Sequence, residues 1–273
     1  MSRRSTRTAR SIVTSTLAAG LGIALSLTSA GQANAATPIG LGSAESYAVL
    51  AGTTVTNTGP TVITGDLGLS PGSAVTGFPP GTVTPPSTIH AADANAIAAQ
   101  NDLTTAYDVA AGSPSTSSLQ GAPAELGGQT LTPGTYTASS SLQLTGTVTL
   151  DGGGGANASN EVWIFQAGST LTTGSNSTVL LINGANRCNV FWQVGSSATL
   201  GTMTTFVGTI MALTSISATT GATIEGRLLA RNGAVSLATN TITAPAACPA
   251  SISPPAVARP GETVPGETVP DRS

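Results

Sequence analysis

The sequence predicts a mainly β solenoid with one long α-helix, and three observations lead to this fold class. Short β-favouring runs, such as 54–56 and 61–64, are separated by glycine, asparagine and proline, which is the pattern of strands and turns. The stretch 126–243 repeats itself. Aromatic residues make up only 3% of the chain whereas 33 residues are glycine, so the core must consist of thin layers of small aliphatic side chains, which suits a solenoid.

The repeats define the unit of this solenoid. Residues 168–174 resemble residues 195–201 after a shift of 27, and residues 205–208 resemble residues 223–226 after a shift of 18. Similarity at this period indicates coils that stack on their neighbours. Alternation within the coils predicts that a set of aliphatic side chains points inward: Leu171, Leu200, Ile216, Ile224, Leu228 and either Val235 or Leu237.

A single helix is predicted over about residues 90–110. Ser87 or Thr88 is expected to cap it, and Gly112-Ser113-Pro114 to end it. Because its apolar stripe is rich in alanine, the helix can pack closely along the body of the solenoid. The stripe recurs at helical spacing and comprises Ala96, Ala99, Leu103, Ala106, Tyr107 and Ala110.

Composition divides the chain into three parts. Residues 1–35 have a basic start, an interrupted apolar run and a small-x-small site at Ala33-Asn34-Ala35, which predicts a secretory signal peptide. The β-solenoid domain is expected over 36–249. The Pro-rich segment 250–273 carries a direct repeat and is predicted to be a flexible tail. The protein is therefore expected to be secreted and extracellular.

The charge pattern excludes several partners. The chain contains no lysine and carries a formal net charge of −3, so a nucleic-acid partner is not expected, because such binding needs clustered positive charge. After the signal peptide, no apolar run is long enough to span a bilayer. We expect a monomer.

The two cysteines, Cys188 and Cys248, predict a disulfide, because an even pair in an exported protein is usually bridged. The alternative is two buried free thiols. A bridge would stabilise the fold by about 4 kcal/mol on the loop-closure estimate.

An enzyme is not predicted, and no catalytic residue is proposed. His90 is the only histidine and lies at the expected helix start, where capping or solvent exposure is its expected role. Asp66, Glu161 and Glu225 lie on separate repeats, without a paired partner in sequence. No spacing of cysteine, histidine or carboxylates indicates a metal, and no cofactor is expected.

Several stretches resemble the microbial secreted ice-binding family. They are residues 57–61, 64–68, 127–136, 188–196 and 226–235, and the resemblance covers about 41–245. It implies a right-handed β-helix of triangular section, with coils stacked out of sequence order and the α-helix alongside. It also implies that the partner is an ice surface, bound through one flat face.

A flat array of small hydroxylated residues on stacked strands is the expected ice-binding site. A threonine offers a methyl and a hydroxyl group in a stiff rotamer, repeated at each rung of about 4.7–4.9 Å. Two ladders compete, and a third surface carrying Glu225, Arg227 and Arg231 is excluded. The favoured ladder comprises Thr58, Thr61, Thr173, Ser175, Ser177, Thr202, Thr204, Thr220, Thr223, Thr239 and Thr241, and the other comprises Thr170, Thr172, Thr199, Ser215, Ser217 and Ser236.

The favoured ladder includes three short motifs of the form Thr-Gly-x-Thr/Asn. They begin at Thr58, Thr173 and Thr220, and they resemble a motif on the ice-binding face of some family members. The alternative function is a secreted or cell-surface adhesion module that binds a polysaccharide or another cell's surface through the same face. Threonine is common on any solvated strand, so the ladder alone does not distinguish these functions.

Overall fold

The computed structural model describes residues 36–245 and Cys248; the predicted signal peptide (1–35) and tail (250–273) lie outside the described residues. The first strands are β1 (Tyr47–Ala51), β2 (Thr54–Thr58), β3 (Val62–Thr64), β4 (Asp66–Leu69), β5 (Ala74–Thr76), β6 (Thr82–Val83) and β7 (Ile89–Ala91). After α1 (Ala94–Gly112) follow β8 (Ser117–Leu119), β9 (Ala124–Glu125), β10 (Thr130–Leu131), β11 (Gly134–Ala138), β12 (Leu142–Leu144), β13 (Thr147–Asp151), β14 (Trp163–Ala167) and β15 (Leu171–Thr173). The last strands are β16 (Thr178–Ile182), β17 (Val190–Val194), β18 (Ala198–Leu200), β19 (Thr205–Ala212), β20 (Ile216–Ala218), β21 (Thr223–Ala230), β22 (Val235–Ala238) and β23 (Thr241–Thr243).

These strands form three ladders, called faces 1 to 3 here, in which neighbouring strands are parallel. Face 1 has the order β5-β2-β22-β20-β18-β15-β12-β9. Face 2 has the order β6-β3-β23-β21-β19-β16-β13-β10, and face 3 the order β7-β4-β1-β21-β19-β17-β14-β11-β8. The long strands β19 and β21 contribute their first halves to face 2 and their second halves to face 3, and Gly208 and Gly226 lie between the halves with positive φ.

The coils stack out of sequence order. Strand β1 lies between β4 and β21, and β2 lies between β5 and β22. The first coil of the chain therefore packs on the last one, and the coils near α1 occupy the two ends. This out-of-sequence stacking confirms what the family resemblance implies, and the mainly β composition with one helix is also confirmed.

The core lies between the three faces. Every side chain predicted to point inward is at most 4% exposed, which confirms the alternation within coils. Although aromatic residues are rare, four of them form a stack at the centre of successive coils, with Phe165 and Trp192 ring centroids 4.0 Å apart. Tyr136 and Phe206 extend the stack at its two ends.

Helix α1 packs on face 3 through the predicted stripe, all six members of which are buried. It ends at Gly112 as predicted, but the predicted start is wrong. Residues 89–91 form strand β7, paired with β4, and the cap is Asp93, whose side chain accepts a hydrogen bond from the Ala96 N–H. Pairing with β4 therefore overrides the helical pattern at this end.

Two glutamines on face 3 hold the C-terminal half of α1. Gln166 and Gln193 are partners in register on β14 and β17. The Gln166 side-chain amide donates to the backbone carbonyls of Ala110 and Ser113, both at 2.8 Å, and that of Gln193 donates to the Tyr107 hydroxyl at 2.7 Å. The buried face of the helix is thus fixed by polar contacts as well as by apolar packing.

The predicted disulfide is present: Cys188 and Cys248 are bonded, with Cα atoms 5.3 Å apart and a sequence separation of 60. A double Cys188→Ser, Cys248→Ser variant should lose at most about 4 kcal/mol of stability, because the bridge no longer restricts the unfolded chain. Thermal melting measured by circular dichroism, with and without reductant, checks this. If the reduced wild type and the variant melt at the same temperature as the oxidised protein, the bridge does not stabilise the fold.

Candidate functional site

Face 1 presents a continuous outward column of hydroxyl-bearing side chains. Six consecutive rungs place a threonine or serine at the same register position, and each of these side chains is exposed or half-buried. On the seventh rung, Gln143 takes this position, and on the eighth, Glu125. We call the six residues the hydroxyl column: Thr76, Thr56, Ser236, Ser217, Thr199 and Thr172.

A second column of small residues runs beside the first. It lies two residues earlier on each strand, and backbone hydrogen bonds keep it in register from coil to coil. Its hydroxyls are also ordered: the Thr170 hydroxyl donates to Ser141 Oγ at 2.8 Å, and Ser215 Oγ accepts the Ala234 N–H at 3.2 Å. This edge column comprises Thr54, Ala234, Ser215, Ser197 and Thr170.

The two columns form a regular array because of what lies beneath and between them. The residues between the columns, such as Val55, Ile216 and Leu171, are fully or almost fully buried in the core. Parallel strands repeat every ~4.7–4.9 Å, and threonine's χ1 is stiff, so hydroxyl groups recur at this spacing along the hydroxyl column. Its threonines also present methyl groups, which the two serines lack. From Thr76 to Thr172 neither column contains a charged residue. The first charge on this face is Glu125, at its end, where the carboxylate accepts the N–H groups of Gly127 and Thr145.

A tight corner separates face 1 from face 2. On successive coils one residue adopts positive φ: Gly59 (79°), Thr239 (51°), Gly221 (73°), Met203 (57°) and Asn176 (58°). The N–H of Asn176 bonds to the Thr202 carbonyl, and that of Met203 to the Thr220 carbonyl. The predicted stacking of Ser175, Thr202 and Thr220 is therefore confirmed, but it occurs at this corner and not on a flat face.

The favoured ladder does not form one exposed surface. Thr58 is exposed on face 1, at the last position of β2, and Thr223 and Thr241 are exposed on face 2. Ser175, Thr202, Thr220 and Thr239 are exposed at the corner. The assignment of the remaining four to an ice-contacting surface is wrong, because each is at most 3% exposed and its hydroxyl is hydrogen-bonded inside the protein. They are Thr61, Thr173, Thr204 and Ser177.

The other predicted ladder is the one that the structure brings together. Thr172, Thr199, Ser217 and Ser236 are consecutive members of the hydroxyl column, and Thr170 and Ser215 belong to the edge column. Thr76, Thr56 and Thr54 extend the array in the same register. Thr54 and Thr56 lie on the first coil of the chain and Thr76 on the second, so only the out-of-sequence stacking joins them to the repeats.

Face 2 also carries a threonine column, but a charged pair interrupts its surface. Thr241, Thr223, Thr205, Thr178 and Thr147 are in register. Two residues along β21 from Thr223 lies Glu225, which pairs with Arg187 at 2.9 Å. On the same line β16 exposes Leu180, at 45%. Face 2 therefore offers one continuous threonine column, beside a second line in which Glu225 and Leu180 separate Thr243 from Thr149.

The three charged residues assigned to one excluded surface lie in different places, so that grouping is wrong. Glu225 is on face 2. Arg227 is only 1% exposed, and its guanidinium donates twice to the Glu45 carbonyl, at 3.0 and 2.9 Å. Burial lowers the pKa of this guanidinium below its ordinary value. Arg231 lies beside α1, where it pairs with Asp108 and stacks on the Tyr107 ring.

The described residues 36–245 and Cys248 contain no cluster of three histidine, cysteine or acidic side chains that could hold a metal. His90 lies next to the helix cap, with its Nδ1 2.7 Å from the Asp93 carboxylate. The Ala96 N–H and then the His90 side chain hold the pKa of Asp93 below its ordinary value. Among these same residues, no helix has the length and apolar character needed to cross a membrane.

Comparisons with known proteins agree on one family. The family model described as Ice-binding-like matches residues 49–243. An ice-binding protein from Nostoc sp. (strain HG1) is 53% identical over 213 residues, which cover 78% of this chain and 76% of the relative. Another from Flavobacterium frigoris (strain PS1) is 37% identical over 219 residues, 76% of each chain.

Solved structures give the same result. The crystal structure of an ice-binding protein from an Antarctic biological consortium matches with a TM-score of 0.73 at 50% identity, over 78% of this chain and 93% of that one. The ice-binding protein of the Antarctic ascomycete Antarctomyces psychrotrophicus matches with a TM-score of 0.72 at 44% identity, over 77% and 100%. At these identities the likeness extends beyond the fold to the sequence itself.

Proposed function

Because this chain belongs to the Ice-binding-like family, we propose that it adsorbs to ice through face 1 and limits ice growth or recrystallisation. We also propose that its three parallel faces wind as a right-handed β-helix of triangular section. The parallel pairing of all three faces and the match to solved ice-binding proteins support this.

One observation carries the choice of face: six consecutive rungs of the hydroxyl column lie in register without a charge among them. Methyl groups spaced at one rung hold water between them, and the hydroxyl groups anchor that water by hydrogen bonds. The array is already ordered by the core beneath it, so binding orders few side chains and loses little conformational entropy. Many weak contacts then add up over a large flat area.

Adsorption explains the effect on growth without any chemical reaction. Ice between two adsorbed molecules must advance as a curved surface, which melts more readily than a flat one. Growth stops until the temperature falls further, and small crystals no longer exchange water with large ones. This function needs no cofactor, metal or catalytic residue, and we propose none for this chain.

The adhesion alternative has less support from face 1. Sugar-binding surfaces usually present exposed aromatic rings, but none of the eight strands of face 1 contains an aromatic residue. Both tryptophans are buried in the core, at no more than 1% exposure. From Thr76 to Thr172 a polysaccharide would therefore find only small side chains in the hydroxyl column.

We further propose that residues 1–35 direct export, that residues 36–249 form the ice-binding domain, and that the domain acts outside the cell as a monomer. The disulfide supports an oxidising compartment. Residues 250–273 are proposed to be a spacer, on the basis of their proline-rich repeat.

The experiment that tests this function is the growth of a single ice crystal in the purified protein, at low micromolar concentration. We expect faceted crystals and a lasting arrest of recrystallisation, because adsorbed molecules pin the growing surface. Round, unshaped discs that coarsen as in buffer would contradict ice binding and favour adhesion.

A further inference from the structure

The corner between faces 1 and 2 contains a row of buried polar side chains, interrupted on one coil by Ala222. Each is at most 9% exposed. We call this row the corner spine. Its members are Asn57, Thr61, Asn240, Thr204, Thr173 and Ser177.

The upper part of the spine links three coils. The Thr61 hydroxyl donates to Asn57 Oδ1 and accepts the Asn240 N–H at 3.0 Å. The Asn57 amide donates to the carbonyls of Gly59 and Gly77, at 2.8 and 2.9 Å. Each contact crosses or closes the corner, so the three coils share one hydrogen-bonded unit.

Asn240 continues this unit onto face 1. Its Oδ1 accepts the Ala238 N–H at 2.7 Å, and its Nδ2 donates to the Thr219 carbonyl at 2.8 Å. Both backbone groups lie where a face 1 strand, β22 or β20, leaves the ladder. The side chain therefore fixes two neighbouring strand ends relative to each other.

The lower part of the spine is centred on Thr204. Its hydroxyl lies 2.9 Å from that of Thr173 and donates to the Gly174 carbonyl at 3.2 Å. Thr173 in turn accepts the Gly201 N–H at 2.8 Å, directly after β18. Ser177 lies on the same coil as Thr173, and its hydroxyl donates to the carbonyl of Leu144, the last residue of β12 on the next coil, at 2.9 Å.

These contacts provide hydrogen-bond partners for backbone groups at the corner. A residue with positive φ turns the chain out of its strand, and the N–H groups of Gly201, Ala238 and Asn240 at these turns bond to spine side chains. A buried backbone group without a partner costs about 1–3 kcal/mol. The spine supplies these three partners from inside and adds a second hydrogen bond to carbonyls such as Leu144, which also accepts the Gly174 N–H, so it ties the ends of face 1 strands to their neighbours.

We propose that the corner spine consists of positioning residues for ice binding, which keep the hydroxyl column in register without touching ice. This rests on the proposed function of face 1. It also changes the interpretation of the Thr-Gly-x-Thr/Asn motifs, which are not equivalent in space. Thr61 ends the first motif and Thr173 begins the second, and both are spine members, whereas in the third motif Ala222 occupies the spine position.

Thr204→Val tests the inference, because it removes the central hydroxyl with little change in shape. At equal concentrations of folded protein near the freezing point, we expect its thermal hysteresis to fall several-fold, since the β18 rung carrying Thr199 loses register. Thr204→Ser, which keeps the hydroxyl, should restore wild-type hysteresis. Exchange of the Gly201 amide should be faster in Thr204→Val than in either of the others.

Thr209→Val is the matched control. Thr209 is 1% exposed and lies on face 3, so the same substitution disturbs the interior away from face 1. It should lower the melting temperature while leaving hysteresis unchanged. If Thr204→Val keeps full hysteresis, or if Thr209→Val loses as much as Thr204→Val, the inference is overturned and the spine only stabilises the fold.

Two further measurements cover a Thr204→Val variant that does not fold and a wild-type protein without hysteresis. Should Thr204→Val fail to fold, Ser177→Ala removes a single spine hydrogen bond and should show a smaller loss of hysteresis; unchanged hysteresis there would equally overturn the inference. A wild-type protein without hysteresis overturns the proposed function itself, and the positioning role with it.

Discussion

Replacing Thr199 with tyrosine is expected to abolish ice shaping and thermal hysteresis while the protein stays folded. Thr199 is exposed near the middle of the hydroxyl column, between Ser217 and Thr172. A side chain on a strand stands roughly perpendicular to the sheet, so the tyrosine ring rises above the array and holds ice away from neighbouring rungs. Surface substitutions of this kind change stability by about 0.5 kcal/mol or less.

Thr205→Tyr is the control for this variant. Thr205 is an exposed threonine in register with others on face 2, so the substitution adds the same ring to the neighbouring surface. Its hysteresis should equal that of the wild type. Loss of hysteresis in Thr205→Tyr with full activity in Thr199→Tyr would mean that face 2 binds ice.

The second large effect is expected for Trp192→Ala, which should lower the melting temperature by about 10 °C or more. Trp192 is 1% exposed; it stacks on Phe165 and packs at a tilt against Phe206, at centroid distances of 4.0 and 5.0 Å. Truncating a buried tryptophan costs about 3–5 kcal/mol. The Val207 carbonyl also loses its hydrogen bond from the indole N–H, which adds roughly 1 kcal/mol.

A domain is stable by only about 5–15 kcal/mol, so Trp192→Ala should lose a large part of its free energy of unfolding. Denaturant titration followed by circular dichroism measures the loss, and Trp192→Phe, which keeps a ring in the stack, should recover most of it. A Trp192→Ala protein as stable as the wild type would show that the aromatic stack does not hold the coils together.

Much of the fold could be predicted because solenoid periodicity is local. The inward side chains follow from alternation within strands, and the buried stripe of α1 follows from helical spacing. The helix start could not be placed in this way, since residues 89–91 pair with a strand distant in sequence. The stacking of the first coil on the last is equally non-local, and only the family resemblance indicated it.

The ladder was harder to predict because corners interrupt the alternation. One residue with positive φ at each corner changes which of the following threonines point outward. Thr202 is therefore exposed whereas Thr204 is buried, although both match the same repeat pattern. At these corners, the residues other than glycine that adopt positive φ are Thr239, Met203 and Asn176. Of these residue types, only asparagine commonly indicates positive φ in a sequence.

The glutamines on face 3 are a sequence signal that could have indicated where the helix packs. Gln166 and Gln193 recur after 27 residues, in strands where both neighbours are buried. A polar residue repeated within a buried strand requires a hydrogen-bonding partner, and here the partners are on α1. Their repetition could therefore have predicted where the helix packs.

The most direct test of the account measures adsorption itself. Wild type, Thr199→Tyr and Thr205→Tyr are each placed around a slowly growing ice hemisphere, and the protein incorporated into the ice is quantified. We predict that the wild type and Thr205→Tyr enter the ice equally, while Thr199→Tyr stays in the liquid. Incorporation of Thr199→Tyr at the wild-type level would contradict the assignment of face 1 as the ice-binding surface.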